Sequence, residues 1–195
     1  QAEVIWQSQE SSKAYIDPKG DAEFIEGMET LLLGAKHRAL NDNRVRTIQT
    51  PGGSCALRIA AEYIQRCNPN ATIWLSDPTW VNHEPLLGRI GLELKQYRYY
   101  DDLSHSLDFD GMLHSLQQVQ PGDVVLLHGC CHNPSGEDLS LEQWQTVAEL
   151  ALEKGFTPFV DIAYQGIGEG IEEDAAGLRL LADTLPELII TASCS

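Results

Sequence analysis

Asp161 sits inside an apolar run, with Phe159 and Val160 before it and Ile162 and Ala163 after. A carboxylate so placed needs a partner, because an unpaired buried charge is costly. A neighbouring cation or backbone N–H group would serve, and so would the cationic nitrogen of a ligand. Tyr164, three residues on, can set a phenol beside the same point. In Thr50-Pro51-Gly52-Gly53-Ser54 the glycines let the backbone approach a ligand, and the free N–H groups of a helix opening at Ser54 attract an anion. The same residues equally suit a tight strand-to-helix turn with Ser54 as N-cap. Trp80, in "DPTWVNHE", offers a flat face to a planar ligand or ordinary rim packing, and His83 reads alone as a satisfied loop histidine. In "LHGCCHNPSG" the Asn133 amide can donate to a ligand oxygen or serve its turn only. His128, Cys130, Cys131 and His132 fit no usual zinc spacing, and adjacent cysteines do not easily share one ion, so no metal is expected. Ser193, near the end of the chain, can serve the same anion as Gly52, Gly53 and Ser54.

The elements that must position these residues alternate. Strands are predicted at 46–50, 71–76, 92–100, 122–129, 157–163 and 187–193. Helices are predicted at 52–66, with Ala56, Leu57, Ala60, Tyr63 and Ile64 inward, and at 108–119 and 175–185. The best-marked helix starts at a capping box of Ser140 and Gln143, with Leu139 stapled onto Trp144. Its buried stripe is Trp144, Val147, Ala148 and Ala151, and Gly155 stops it. Such alternation predicts an α/β fold, a three-layer α/β/α arrangement on a mainly parallel sheet. In that fold ligands bind outside the carboxyl ends of the strands, and every residue named above follows a strand or closes one. The dinucleotide fingerprint is absent, since Gly166, Gly168 and Gly170 have neither the spacing nor the strand–turn–helix context.

An anion cradle, a flat aromatic, an amide, a carboxylate for a cation and a phenol together suit one ligand. It is a planar heteroaromatic cation with a phosphate and a phenolic oxygen, which is pyridoxal 5'-phosphate. Composition agrees with a soluble globular chain: 43% hydrophobic and 22% charged residues among 195. Asp and Glu number 29 against 13 Lys and Arg, a formal charge of −16 that opposes nucleic acid or an anionic membrane as partner. No apolar run is long enough to span a bilayer. Five cysteines, two of them adjacent, make no disulfide framework and point to a reducing cytoplasm.

The chain also resembles the class I aspartate/aromatic aminotransferases of the pyridoxal-phosphate fold type I group. The resemblance is carried by "KAYIDPKGDAEF", "TPGGSCALRIAAEYI", "DPTWVNHE", "YYDDLSHSLDFDGML", "GDVVLLHGCCHNPSGEDLSLEQWQ", "DIAYQGIGEGIEEDAAGLR" and "ITASCS", in the family's order. It implies that Gly52, Gly53, Ser54 and Ser193 bind the cofactor phosphate. Trp80 would stack on the ring, Asn133 and Tyr164 would hydrogen-bond its phenolic oxygen, and Asp161 would pair with the ring nitrogen, supported by His83 and His128. Tyr15 would reach the phosphate of a partner subunit in a homodimer with shared active sites.

The resemblance further implies that residues 1–45 form an N-terminal segment and helix leading into a large cofactor domain, of which 46–195 is a part. The remaining strands and a small domain would be absent. In the family the serine matching Ser195 is followed by the lysine that holds the cofactor as a Schiff base. Lys13, Lys19, Lys36, Lys95 and Lys154 match no catalytic position. The implied protein is a fragment, inactive alone, of a cytoplasmic enzyme moving an amino group between an L-amino acid, aromatic or aspartate, and a 2-oxo acid such as 2-oxoglutarate. Ser54 and Ala14 lean toward the aromatic branch. A lyase or decarboxylase on the same scaffold, or a non-catalytic binding module, is the alternative.

Overall fold

The computed structural model describes residues 17–194, together with Val4 and Tyr15. In chain order these hold α1 (Ala22–Leu33), α2 (Arg38–Asn41), α3 (Gly53–Cys67), β1 (Thr72–Asp77), α4 (His83–Leu87), a single 3-10 turn (Gly88–Ile90) and β2 (Glu93–Arg98). There follow β3 (Tyr100–Asp101), β4 (Ser106–Leu107), α5 (Phe109–Leu116), β5 (Val124–His128), α6 (Leu141–Lys154), β6 (Thr157–Ile162), α7 (Ala176–Thr184) and β7 (Ile189–Ala192).

Five strands form one parallel sheet in the order β2-β1-β5-β6-β7. Alternate side chains of each strand enter two separate cores, as the pleat requires. Ile73, Leu75, Val124, Leu126 and Phe159 join Leu57, Ala61 and Ile64 of α3 and Leu87 of α4 on one face. Trp74, Val125, Leu127, Val160 and Ile162 join Met112 and Leu116 of α5, Trp144, Val147 and Ala148 of α6, and Leu178 and Leu181 of α7 on the other. Each fully buried aliphatic or aromatic side chain is worth about 1.5–3 kcal/mol. The three-layer α/β/α arrangement expected from the sequence is the one observed.

Local signals hold where they are self-contained. Ser140 Oγ accepts the Gln143 N–H and Gln143 Oε1 accepts the Ser140 N–H, so the capping box at α6 forms. Gly155 ends that helix in the left-handed region at φ 72°, its N–H on the Ala151 carbonyl. Leu139 packs against the core that contains Trp144.

Three expectations need correction. Residues 46–50 are not a strand: among the described residues the sheet ends at β2 on one side and β7 on the other, and the segment pairs with neither. Its Gln49 N–H donates instead to the Lys19 carbonyl at 2.7 Å. Tyr63 is 55% exposed, and Ala61 takes its place in the buried stripe of α3. Ser54 is not the N-cap of α3. That position is Gly52, at φ 81° and ψ 173°, with no side-chain cap.

The N-terminal helix α1 is tied to α7. It has no basic residue in its last turn. Arg179 of α7 supplies one, its Nε donating to the Leu32 carbonyl at 3.0 Å and its NH2 to the Leu31 carbonyl at 3.2 Å.

Candidate active site

The sheet order reverses between β1 and β5, since β2 lies to one side of β1 and β5 to the other. A crevice at the carboxyl ends of the strands is expected at such a point. A cavity of about 290 Å3 is found there, lined by Gly53, Ser54, Leu57, Trp80, His128, Cys130, Asn133, Asp161, Ala163, Tyr164 and Ser193.

Two of its polar residues, His128 and Asp161, share a register with Thr191 behind the wall. His128 of β5 lies beside Asp161 of β6, which lies beside Thr191 of β7. All three follow the strand parity of Leu126, Phe159 and Ile189, so they project on the face that carries α3 and α4. On that face His83, the first residue of α4, is fully buried. Its Nε2 lies 3.2 Å from Asp161 Oδ2, and Thr191 Oγ1 donates to Asp161 Oδ1 at 2.7 Å.

The hydrogen bonds behind Asp161 run in one direction. A carboxylate only accepts, so His83 Nε2 carries a proton and donates. The other ring nitrogen of His83, Nδ1, accepts from Thr79 Oγ1, 2.7 Å away. Thr79 accepts in turn from His128 Nε2 at 3.2 Å, leaving His128 Nδ1 as acceptor for the Asn133 N–H at 3.4 Å. A backbone donor fixes one end and a carboxylate the other, and both demand the same direction. Burial, with His132 and His83 adding to it, pushes the His128 imidazole well below its ordinary value and keeps it neutral. Among the described residues no lysine or arginine forms an ion pair with Asp161. Its side chain is 15% exposed and lines the cavity.

The opposite wall is the start of α3. With no side-chain cap at Gly52, the first N–H groups of this 15-residue helix are left for a ligand or water. Gly53 touches the end of β7: a Cβ there would stand 3.2 Å from Ser193 Cβ. Backbone amides, Ser54 and Ser193 thus meet in one concave corner.

Of the residues singled out in the sequence, Gly53, Ser54, Trp80, His128, Asn133, Asp161, Tyr164 and Ser193 line this cavity. Gly52 does not line it but sets the helix start. His83 stands behind Asp161, its ring edge-on to Trp80 with centroids 5.4 Å apart. Tyr15 is outside the lining and fully exposed, and Lys13, Ala14 and Ser195 lie outside the described residues. Sequence reading missed Thr79 and Thr191. Thr79 lies four residues before His83, a recoverable signal; Thr191 becomes visible only once β6 and β7 are paired in register. It also missed Cys130, Leu57 and Ala163, whose types carry no signal.

Cys130, Cys131 and Asp174 come within 4.8 Å of one another. The Asp174 oxygens already accept the N–H groups of Gly166, Gly168, Glu169 and Gly170, and burial pushes the Cys130 thiol up. This chemistry suits a loop staple, not a metal centre.

The family model for aminotransferase class I and II matches residues 1–195. The aspartate aminotransferase of Salmonella typhi is 48% identical over 194 residues, covering 100% of this chain and 49% of the relative. The aromatic-amino-acid aminotransferase of Pseudomonas aeruginosa is 46% identical over 187 residues, covering 96% of this chain and 47% of the relative. Among solved structures, an aromatic-amino-acid aminotransferase from Burkholderia pseudomallei covalently bound to pyridoxal phosphate superimposes with a TM-score of 0.94 at 39% identity, over 98% of this chain and 48% of that one. The chain spans about half the length of the curated relatives it matches. With the family model matched along the whole sequence, the chain belongs to the class I and II aminotransferases.

Proposed function

We propose that this chain is the cofactor-holding part of a pyridoxal-phosphate aminotransferase that moves an amino group between an L-amino acid, aspartate or aromatic, and a 2-oxo acid. The observation that carries the reading is Asp161. It is a carboxylate on the cavity wall, hydrogen-bonded from behind by His83 and Thr191 and, among the described residues, paired with no lysine or arginine. That arrangement is made for a positive charge supplied by a ligand. The uncapped amides of α3, on the facing wall, suit the ligand's phosphate.

In this reading Gly52 sets the helix start, and the amides beside Gly53 and Ser54, with the hydroxyls of Ser54 and Ser193, hold the phosphate. Trp80 covers the ring, and the Asn133 amide and Tyr164 phenol hold its phenolic oxygen. Asp161 keeps the ring nitrogen protonated, while His83 and His128 hold the carboxylate in place and shut water away from its back. Pyridoxal phosphate, once bound, supplies an electron sink for cleavage at the amino acid's Cα. No lysine lines the cavity among the described residues, so the chain's own groups bind and orient without a covalent anchor. Residues 1–45 lead into the cofactor domain at 46–195. The whole protein acts in the cytoplasm as a homodimer in which Tyr15 reaches the phosphate bound by the partner subunit.

The test is amino transfer by the intact protein, loaded with pyridoxal phosphate, from L-aspartate or L-tyrosine to 2-oxoglutarate. Formation of the matching 2-oxo acid and glutamate is expected. Cofactor binding with decarboxylation or elimination in place of transfer would overturn the assignment and favour a lyase on this scaffold.

A further inference from the structure

His132 is not among the residues lining the cavity, yet the loop between β5 and α6 is built around its ring. It is 2% exposed. One face stacks on Tyr99, centroids 3.9 Å apart and planes 14° apart; the other lies against His128, at 4.1 Å and 33°. Both ring nitrogens are engaged at the edge, Nε2 with Ser76 Oγ at 3.0 Å and Nδ1 with Ser135 Oγ at 2.8 Å.

The backbone is bent to place it. Cys131 adopts φ 49°, a left-handed conformation a side chain resists. The Asp138 carboxylate then accepts both the Cys131 N–H at 2.7 Å and the His132 N–H at 2.8 Å. Tyr99 is held from the far side, its hydroxyl donating to the Glu137 carbonyl at 2.6 Å. A carboxylate, a strained residue, two serines and a tyrosine thus converge on one imidazole that does not line the cavity.

What that imidazole controls is His128. The hydrogen bonds of His128 are long, 3.2 Å to Thr79 and 3.4 Å from Asn133, so they do not fix its plane alone. We propose that His132 is a positioning residue: its face away from Tyr99, tilted 33° against His128, sets the plane of the His128 ring and so keeps both His128 nitrogens on the line of the Asn133–His128–Thr79–His83–Asp161 chain. The inference deepens the cofactor reading, on which it rests only for the role of Asp161. The ring geometry itself stands without a ligand.

The experiment is long-range proton–nitrogen NMR on the chain with 15N-labelled histidine, without cofactor, in mildly alkaline buffer. His128 in the parent chain should show two well-separated ring nitrogens with the proton on Nε2. The two roles open to His132 predict opposite variants. If its face positions His128, His132→Phe keeps the separation. His132→Asn, which can retain one serine bond but loses the face, then makes the two signals converge. If His132 only ties the loop through Ser76 and Ser135, His132→Asn keeps the separation and His132→Phe loses it, overturning the proposal. Tyr99→Leu and Tyr99→Phe give the second pair, should either His132 variant not fold. Removing the backing ring should move the His128 signals toward one another, and keeping it should not. Unchanged His128 signals in both Tyr99→Leu and His132→Asn would also refute it. None of these readouts depends on cofactor binding, so failure here leaves the aminotransferase reading intact.

Discussion

Asp161 was legible in the sequence as a carboxylate in an apolar run, but its partners were not. Thr191 is 30 positions away and reaches it through strand register, and His83 reaches it from a helix 78 positions earlier. Thr79→Val cuts the chain in the middle, leaving His83 Nδ1 and His128 Nε2 without partners at once. The expected cost is about 1–3 kcal/mol, read as a drop in urea midpoint at constant slope. An unchanged midpoint would show that the chain contributes nothing to folding. The neutral histidines also predict a pH dependence. Burial foremost, with His83 adding, depresses His132 from 6.5 to about 4. A histidine that is harder to protonate folded than unfolded makes the unfolded state the greater proton binder. Stability is therefore full above pH 6.5 and falls as pH drops toward 4, by about 3 kcal/mol for His132 alone. Unfolding midpoints at pH 7.5, 6 and 5 check this, and a flat series contradicts it.

At the scale of elements, α6 was readable because its capping box, staple and terminal glycine all lie within its own sequence. The segment 46–50 was misread because a strand exists only beside another strand, and none pairs with it among the described residues. The short hairpin of β3 and β4 went unnoticed because two-residue strands leave no periodicity to count. Ser54 as N-cap, one of two readings the sequence left open, fails because Gly52 can adopt φ 81°, ψ 173°, a region nearly closed to other residues. Gly52→Ala should cost about 1–3 kcal/mol in thermal stability for that reason. The loop from Tyr164 to Asp174 is wound on one carboxylate. Burial works to raise Asp174, but its four backbone N–H donors outweigh that and hold it below the usual range. Its stabilising charge is thus present above the ordinary carboxylate pKa and is lost as pH falls through the lower folded value. Asp174→Ala should open this loop at neutral pH, seen as faster proteolysis and faster amide exchange at Gly166, Gly168 and Glu169 with α6 still protected. Unaltered exchange there would refute the staple.

Taken as a whole, the molecule puts its chemistry at one place, the carboxyl ends of β1, β5, β6 and β7, because strand order reverses there and both cores end below it. That location was legible from strand–helix alternation alone. Which partners close around it was not, because long-range pairing decides them. The 195-residue chain spans about half of its relatives and presents no cavity lysine among its described residues, so alone it should give no measurable amino transfer. Turnover by the purified chain would contradict this. The central claim is that Asp161 answers a cationic ring nitrogen above a phosphate-holding helix start. It is tested most directly by calorimetric titration of the intact protein, and of its Asp161→Ala variant, with pyridoxamine phosphate and with the analogue whose ring nitrogen is replaced by carbon. The parent protein should favour the nitrogen-bearing ligand by about tenfold or more, equal to about 1.4 kcal/mol, and the variant should not discriminate. Equal preference in both proteins would contradict the account.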